Sequence, residues 1–246
     1  MENISLQLYS VKEAMAQDYM GTIAKVAQMG YTGVEFAGFA GFSAQEIKEQ
    51  LEKTGLKVSG SHVPIVKFRE DVDEVIRFHK EIGCKHVTIP YAQVESKEQA
   101  ESLKQEFLGY AKKLAEHGMT FSYHNHAHEM VQFDGLYALD IMLGDESLKY
   151  EVDTFWTEYA KVDTDAYLKG IGERCPLVHL KDMNEEGEST IFGAGILDNR
   201  KIVAASLEYC KPEWLVIEWE GFGSCDCLYA VEESVKNLKE LLATLE

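Results

Sequence analysis

The sequence predicts an α/β protein folded as a (β/α)8 TIM barrel, a parallel eight-stranded barrel in one domain spanning residues 1–246. Three observations lead there. Short β-branched or aromatic runs alternate with longer stretches of helical spacing, giving about eight β-α units. The connections are short, with no Pro- or Ser-rich linker, and the alternation is unbroken, so one closed barrel accounts for it better than two domains. A doubly wound open sheet usually needs fewer strands and a Gly-rich phosphate fingerprint after its first strand, and this chain shows no such fingerprint.

The expected strands are Ile4–Tyr9, Gly33–Phe36, Lys57–His62, His86–Pro90, Met119–Asn125, Lys149–Asp153, Leu177–Leu180 and Trp214–Glu218. Between them lie amphipathic segments over Tyr19–Met29, Ala44–Lys53, Val72–Ile82, Lys97–His117, Ala166–Gly172, Ile202–Tyr209 and Val231–Leu242. In Val72–Ile82, the residues Val72, Val75, Ile76 and Ile82 fall near helical positions with charged residues between them. Gly30, Gly55, Gly83 and Gly118 each close a helix just before a strand, where a left-handed residue without a Cβ is favoured. Asp71 and Ser96 are candidate helix N-caps.

Hydrophobic residues make up 46% and charged residues 27% of the chain, an ordinary soluble composition. No apolar run approaches the ~20 residues that cross a bilayer. The start, Met1-Glu2-Asn3-Ile4, has neither the basic opening nor the apolar stretch of a secretion signal, so a cytoplasmic protein without a membrane partner is expected. The formal net charge of −18 repels a polyanion, which argues against nucleic acid as a partner. The five cysteines (Cys84, Cys175, Cys210, Cys225 and Cys227) read as reduced thiols rather than a disulfide framework. Cys225 and Cys227 form a lone C-x-C, a weak signal for metal or redox chemistry.

In a parallel barrel, strand interiors pack and chemistry gathers at the strand C-termini. Ionisable residues occupy those positions strand after strand. Glu35 ends the second, His62 the third, His124-Asn125-His126 the fifth, Asp153 the sixth, His179 the seventh and Glu218 the eighth. Gathering so many titratable groups at one end is costly unless a cation or a hydrogen-bond network compensates. Carboxylate and imidazole together suit Mn2+, Co2+, Zn2+ or Fe2+, with Mg2+ as a further option. His86 opens the fourth strand and belongs at the opposite end, while His79 and His117 fall in helices.

The runs Tyr123-His124-Asn125-His126, Glu151-Val152-Asp153-Thr154-Phe155-Trp156, Pro176-Leu177-Val178-His179-Leu180-Lys181-Asp182 and Val216-Ile217-Glu218 resemble the xylose isomerase-like barrel family of sugar isomerases and epimerases. That family includes ketose 3-epimerases, inosose dehydratases, dehydroshikimate dehydratases and endonuclease IV relatives. The likeness covers most of the chain and is strongest from Gly118 to Glu218. It implies one divalent metal ion, held in the epimerases by Glu, Asp, His and Glu from strands five to eight. Those positions fall here on His124, Asp153, His179 and Glu218, so the fifth-strand glutamate is replaced by histidine. The epimerases use their two ligand glutamates as opposed acid and base, and that symmetric pair becomes His/Glu in this chain. A histidine-rich fifth strand also resembles the inosose dehydratases. Phe192-Gly193-Ala194-Gly195-Ile196-Leu197-Asp198 resembles the family's GEG-x-x-D loop with Ala194 in place of glutamate. A Gly-rich turn leading into a helix capped by Asp198 describes that segment equally well.

The resemblance therefore implies a metal-dependent sugar, or sugar phosphate, isomerase or epimerase that removes the proton next to a carbonyl through a metal-stabilised enediolate. Glu218 is the expected base, with His124 or His126 as acid–base partner. Glu35, His62, Asn125, Trp156 and Lys181 are expected substrate contacts or supports, and Asp182 a residue that could orient His179 or touch substrate. Phe155 is expected to pack, and His128 and Glu129 to lie in a loop. The competing functions are a lyase acting on an inosose or keto-sugar, a repair endonuclease, and an inactive sugar-binding barrel. The partner is a small sugar or polyol, and a homodimer is an expectation by analogy alone.

Overall fold

In the computed structural model, which describes residues 3–245, eight parallel strands close into a barrel. They are Ile4–Gln7, Gly33–Phe36, Lys57–His62, His86–Ile89, Thr120–His124, Lys149–Asp153, Leu177–Leu180 and Trp214–Ile217. Each pairs with its sequence neighbours, and the first and eighth close the ring through Ile4↔Leu215, Ser5↔Val216 and Leu6↔Ile217. The expected strands are all present. The first stops at Gln7 because Leu8–Val11 winds into a 3-10 turn whose Tyr9 amide donates to the Gln7 side chain.

Helices cover the outside of the ring, and the sequence pattern had left out three short ones: Lys12–Gln17, Ala138–Met142 and Thr154–Tyr159. Each has six residues or fewer, too few turns for a 3.6-residue period to show. The helix expected over Val72–Ile82 begins at Ile65. Asp71 interrupts it with extended backbone and caps its second part by accepting from the Glu74 amide at 2.9 Å. Ser96 caps the Lys97–Ala115 helix in the same way, accepting from Gln99 at 3.2 Å. Gly55 closes Ala44–Thr54 at φ 73°, and Gly30, Gly83 and Gly118 are also left-handed. No helix among the described residues is long and apolar enough to cross a membrane.

The bore is layered. At its N-terminal end Trp214, Leu177 and Val216 form a small apolar cluster of their own, and the Trp214 ring lies where a side chain at Gly33 would be. Toward the C-terminal end the alternation of each strand turns polar groups inward. A β-bulge determines the third strand's contribution. The register against the second strand runs Val34↔Val58 and then Glu35↔Gly60, so Ser59 is the extra residue. Ser59 meets Ser5 at 2.6 Å, Gly60 faces Glu35, and Ser61 turns outward to His79 of the Ile65–Glu81 helix at 3.0 Å. His62 consequently points into the bore, where its ring stacks parallel to that of His179 at 5.4 Å.

Candidate metal centre

Each residue of the site stands at or just beyond the C-terminal end of a barrel strand. His124 ends the fifth strand, Asp153 the sixth, His179 lies in the seventh, and Glu218 follows the eighth. One ligand atom from each of these four lies within 4.8 Å of the others, and all four residues are buried. His179 Nδ1 is 3.1 Å from Glu218 Oε2, and His124 Nε2 is 3.9 Å from Asp153 Oδ2. The residues fit a divalent cation. Two imidazoles and two carboxylates make a donor set suited to such an ion, with Asp153 Oδ2 buried against the Lys181 ammonium at 3.1 Å.

Beneath them lies a second layer. Glu35 and Glu151 are completely buried. Glu151 Oε1 is 2.5 Å from His62 Nε2 and 3.0 Å from His179 Nε2, while its Oε2 accepts from the Thr88 hydroxyl at 2.6 Å. Glu35 Oε2 is 2.7 Å from His179 Nε2 and accepts from the Gln7 amide at 2.8 Å. A Cβ on Gly60 would stand 2.5 Å from Glu35 Oε1, so only glycine leaves the carboxylate room. His62, His124, Glu151 and His179 form a second group with metal-ligand spacing.

Electrostatics follow from this crowding. Burial raises both the Glu35 and Glu151 carboxyls. Glu35 stays above its ordinary value, whereas the facing His62 and His179 outweigh burial at Glu151 and hold it well below. Burial opposes charge on His179 too, but Glu35 and Glu151 carry it well above the usual imidazole range. His124 is held neutral by burial, and His126 is lowered to about 4 by burial and the nearby Lys181. Burial raises Asp153 to about 6 against the pull of Lys181. At Glu218 the attraction of Lys181 and His179 overcomes burial and keeps it ionised.

Lys181 is 1% exposed, with its ammonium 3.1 Å from Asp153 Oδ2, 3.1 Å from Glu218 Oε2 and 2.5 Å from Glu220 Oε2. It therefore acts as a built-in counter-charge beneath the mouth. Asn125 is also fully buried, and its amide links two strands by accepting from the Asp153 amide at 3.0 Å. Trp156 packs on His126 with ring centroids 5.3 Å apart, and Phe155 is buried beside it. Glu129 is not a solvated loop residue. It is completely buried and accepts from Tyr123 at 2.6 Å and from the His126 amide at 2.8 Å, which fixes the turn carrying His126. Asp182 folds the Gly-rich segment, accepting from the amides of Gly193 at 2.9 Å and Gly195 at 3.0 Å and from the Asn199 side chain at 2.6 Å. Asp198 caps the helix that follows by accepting from Lys201 at 3.0 Å.

Above the centre opens a cavity of about 450 Å3 whose lining includes His62, His124, His126, Glu218, Glu220, Tyr9 and Tyr91. Glu220, Tyr9 and Tyr91 had not been singled out from the sequence. Glu220 continues the inward parity of Val216 and Glu218, a signal that was there to read. The tyrosines come from loops with no such rule. All five cysteines are free, and Cys227 opens the last helix behind the Asp226 cap.

The sequence profile of the xylose isomerase-like TIM barrel family matches residues 23–245. No curated protein matches the sequence. Among solved structures, a sugar phosphate isomerase/epimerase from Parabacteroides distasonis superposes with a TM-score of 0.86 at 22% identity, covering 97% of this chain and 93% of that one. An L-ribulose 3-epimerase superposes at 0.76 with 13% identity, covering 99% and 95%. The IOLI protein with a bound zinc atom does so at 0.79 with 12% identity, covering 98% of each chain. These likenesses show the barrel fold over nearly the whole chain, and the profile match shows that the chain belongs to the xylose isomerase-like TIM barrel family.

Proposed function

We propose that this protein is a divalent-metal-dependent enzyme that isomerises or epimerises a small sugar by moving a proton next to its carbonyl. The observation that carries this reading is the convergence of His124, Asp153, His179 and Glu218 at the floor of an open cavity. These four residues would hold the ion. When bound, a divalent cation polarises a carbonyl and stabilises the negative charge that develops on its oxygen.

The side chains then divide the work. Glu218 is ionised and lines the cavity, so it can accept the proton from the carbon beside the carbonyl. His126, neutral and held in place by Glu129 and Trp156, can pass a proton to or from a substrate oxygen or the neighbouring carbon. His62 and Glu220 offer polar contacts to hydroxyls, and Tyr9 and Tyr91 offer flat faces to a sugar ring. Apart from the residues that would hold the ion, the cavity lining presents, among the described residues, the Glu220 carboxylate and no lysine or arginine to meet a phosphate dianion. That favours an unphosphorylated substrate, and it weighs equally against a DNA backbone.

A second reading, elimination of water or of a glycosyl substituent from a keto-sugar, rests on a specific observation. Glu218 is accompanied in the cavity by three imidazoles, His62, His124 and His126, where symmetric epimerisation would use a second ligand carboxylate. An imidazole can protonate a departing hydroxyl. Removing and restoring the metal, then incubating the enzyme in D2O with ketoses, inososes and keto-glycosides, separates the readings by NMR. Deuterium beside the carbonyl together with a rearranged sugar supports isomerisation or epimerisation, and loss of water or of the substituent assigns a lyase. No exchange with any metal, together with unchanged metal affinity in Asp153→Ala and Glu218→Ala, refutes the metal-enzyme reading.

A further inference from the structure

Two overlapping groups of side chains could hold a cation here, and they share His124 and His179. Both histidines sit between the layers and turn a different ring nitrogen to each. His179 directs Nδ1 to Glu218 at 3.1 Å and Nε2 to Glu35 at 2.7 Å and Glu151 at 3.0 Å. His124 directs Nε2 toward Asp153 at 3.9 Å and Nδ1 toward Glu151 at 3.5 Å. A neutral imidazole has one nitrogen that donates and one with a free lone pair. Carboxylates face both nitrogens of His179, two of them on the Nε2 side and one on the Nδ1 side, so the more closely held Nε2 keeps the proton and Nδ1 is left to bind a cation.

The lower layer is engaged at three of its four carboxylate oxygens, Glu35 Oε1 being the exception. Glu151 Oε1 takes His62 and His179, its Oε2 takes Thr88, and Glu35 takes Gln7 and His179. Both carboxylates are fully buried, and neither lines the cavity. The upper layer differs in access. Asp153 Oδ2 pairs with Lys181 at 3.1 Å, and His124 and Glu218 reach the cavity, where an ion could keep a coordination position open to substrate.

From this arrangement we infer that Glu151, with Glu35 beside it, is the positioning residue of the metal centre. With Glu35 it holds the proton on His179 Nε2, so that His179 Nδ1 is the ligand atom and the ion lies in the Asp153/Glu218 layer, toward which His124 turns its Nε2. The inference rests on the metal-dependent reading above and adds to it a division between ligands and their supports. His62 then serves as a partner to Glu151 and Glu35 and a wall of the cavity, outside the ligand set.

The test is Co2+ binding to the whole protein, measured by chelator competition and by the visible absorption bands of the bound ion. Wild type should take up one Co2+, and Asp153→Asn should lose it. Glu151→Gln should bind 10- to 100-fold more weakly, with bands at the wild-type positions because the ligand atoms are unchanged. Thr88→Val removes the hydroxyl that holds Glu151 Oε2 while keeping the charge, and should weaken binding in the same direction by a smaller factor. That variant carries the test if Glu151→Gln fails the circular-dichroism check for folding. Wild-type affinity in both variants overturns the inference and leaves the metal site standing. Binding abolished by Glu151→Gln but kept by Asp153→Asn would place the ion in the lower layer and also overturn it. A wild-type protein that binds no Co2+ removes both the inference and the reading beneath it.

Discussion

The two ends of the barrel carry the same three residue types beside cavities of similar size. At the N-terminal end, His86, Glu213 and Lys85 border a cavity of about 490 Å3, with His86 Nε2 3.3 Å from Glu213 and Lys85 at 2.6 Å. At the mouth, beneath about 450 Å3, His179 is 3.1 Å from Glu218 and Lys181 is 3.1 Å from it. The difference is water. The Glu213 side chain is 45% exposed and Lys85 53%, against 6% for Glu218 and 1% for Lys181. Solvent screens the first set, whereas Asp153, Glu220, Glu35 and Glu151 crowd round the second. A His–Glu–Lys triple is therefore no signature of a site. Desolvation and the convergence of further carboxylates are what mark the mouth as the candidate site.

Substitutions at the two ends should differ in kind as well as size. Glu218→Gln should lower kcat/KM for proton exchange by roughly 100- to 10,000-fold, the range expected for losing a general base. A loss below about tenfold would remove Glu218 from the chemistry and erase the contrast. Gly60→Ala tests how tightly the carboxylate layer is built, because its Cβ would meet Glu35 at 2.5 Å and Leu177 at 3.2 Å. It should cost about 1–3 kcal/mol in urea unfolding, the usual penalty for overpacking; an unchanged midpoint would mean that Glu35 can move aside.

The smallest effect belongs to the N-terminal end. The hydrogen bond to His86, helped by Lys85 and opposed by partial burial, draws the Glu213 carboxyl down from 4.5 to about 2. A carboxyl lowered on folding contributes stability above its ordinary value and loses it as pH falls through the folded one, here between pH 4.5 and about 2. Because the group is so exposed, the contribution stays below about 1 kcal/mol. Glu213→Gln should flatten the acid limb of the stability curve by that amount and leave proton exchange untouched. A drop in exchange would show that the two ends are coupled.

Much of this was legible in the chain. The eight strands and their order follow from local alternation, and a parallel barrel aims the C-terminal ends of its strands at one mouth. Glu35, His62, His124, Asp153, His179 and Glu218 could therefore be placed at that mouth from their positions in the strands. Glu151, two residues before Asp153 and on the same face, could have been found by the same rule.

Other features depend on packing between distant segments. The bulge at Ser59 changes the parity that brings His62 into the bore, and nothing in Lys57–His62 announces it. Lys181 reads as a substrate contact in a strand-end motif, yet it is buried because Asp153, Glu218 and Glu220 surround it. Asp182 and Glu129 look like loop residues until the amides they gather are seen. Which nitrogen of His179 faces which carboxylate depends on Glu35, 144 residues away in the chain. Local sequence sets the period of a strand and so the face on which a residue stands. Protonation, burial and partnership belong to groups that meet only when the ring closes.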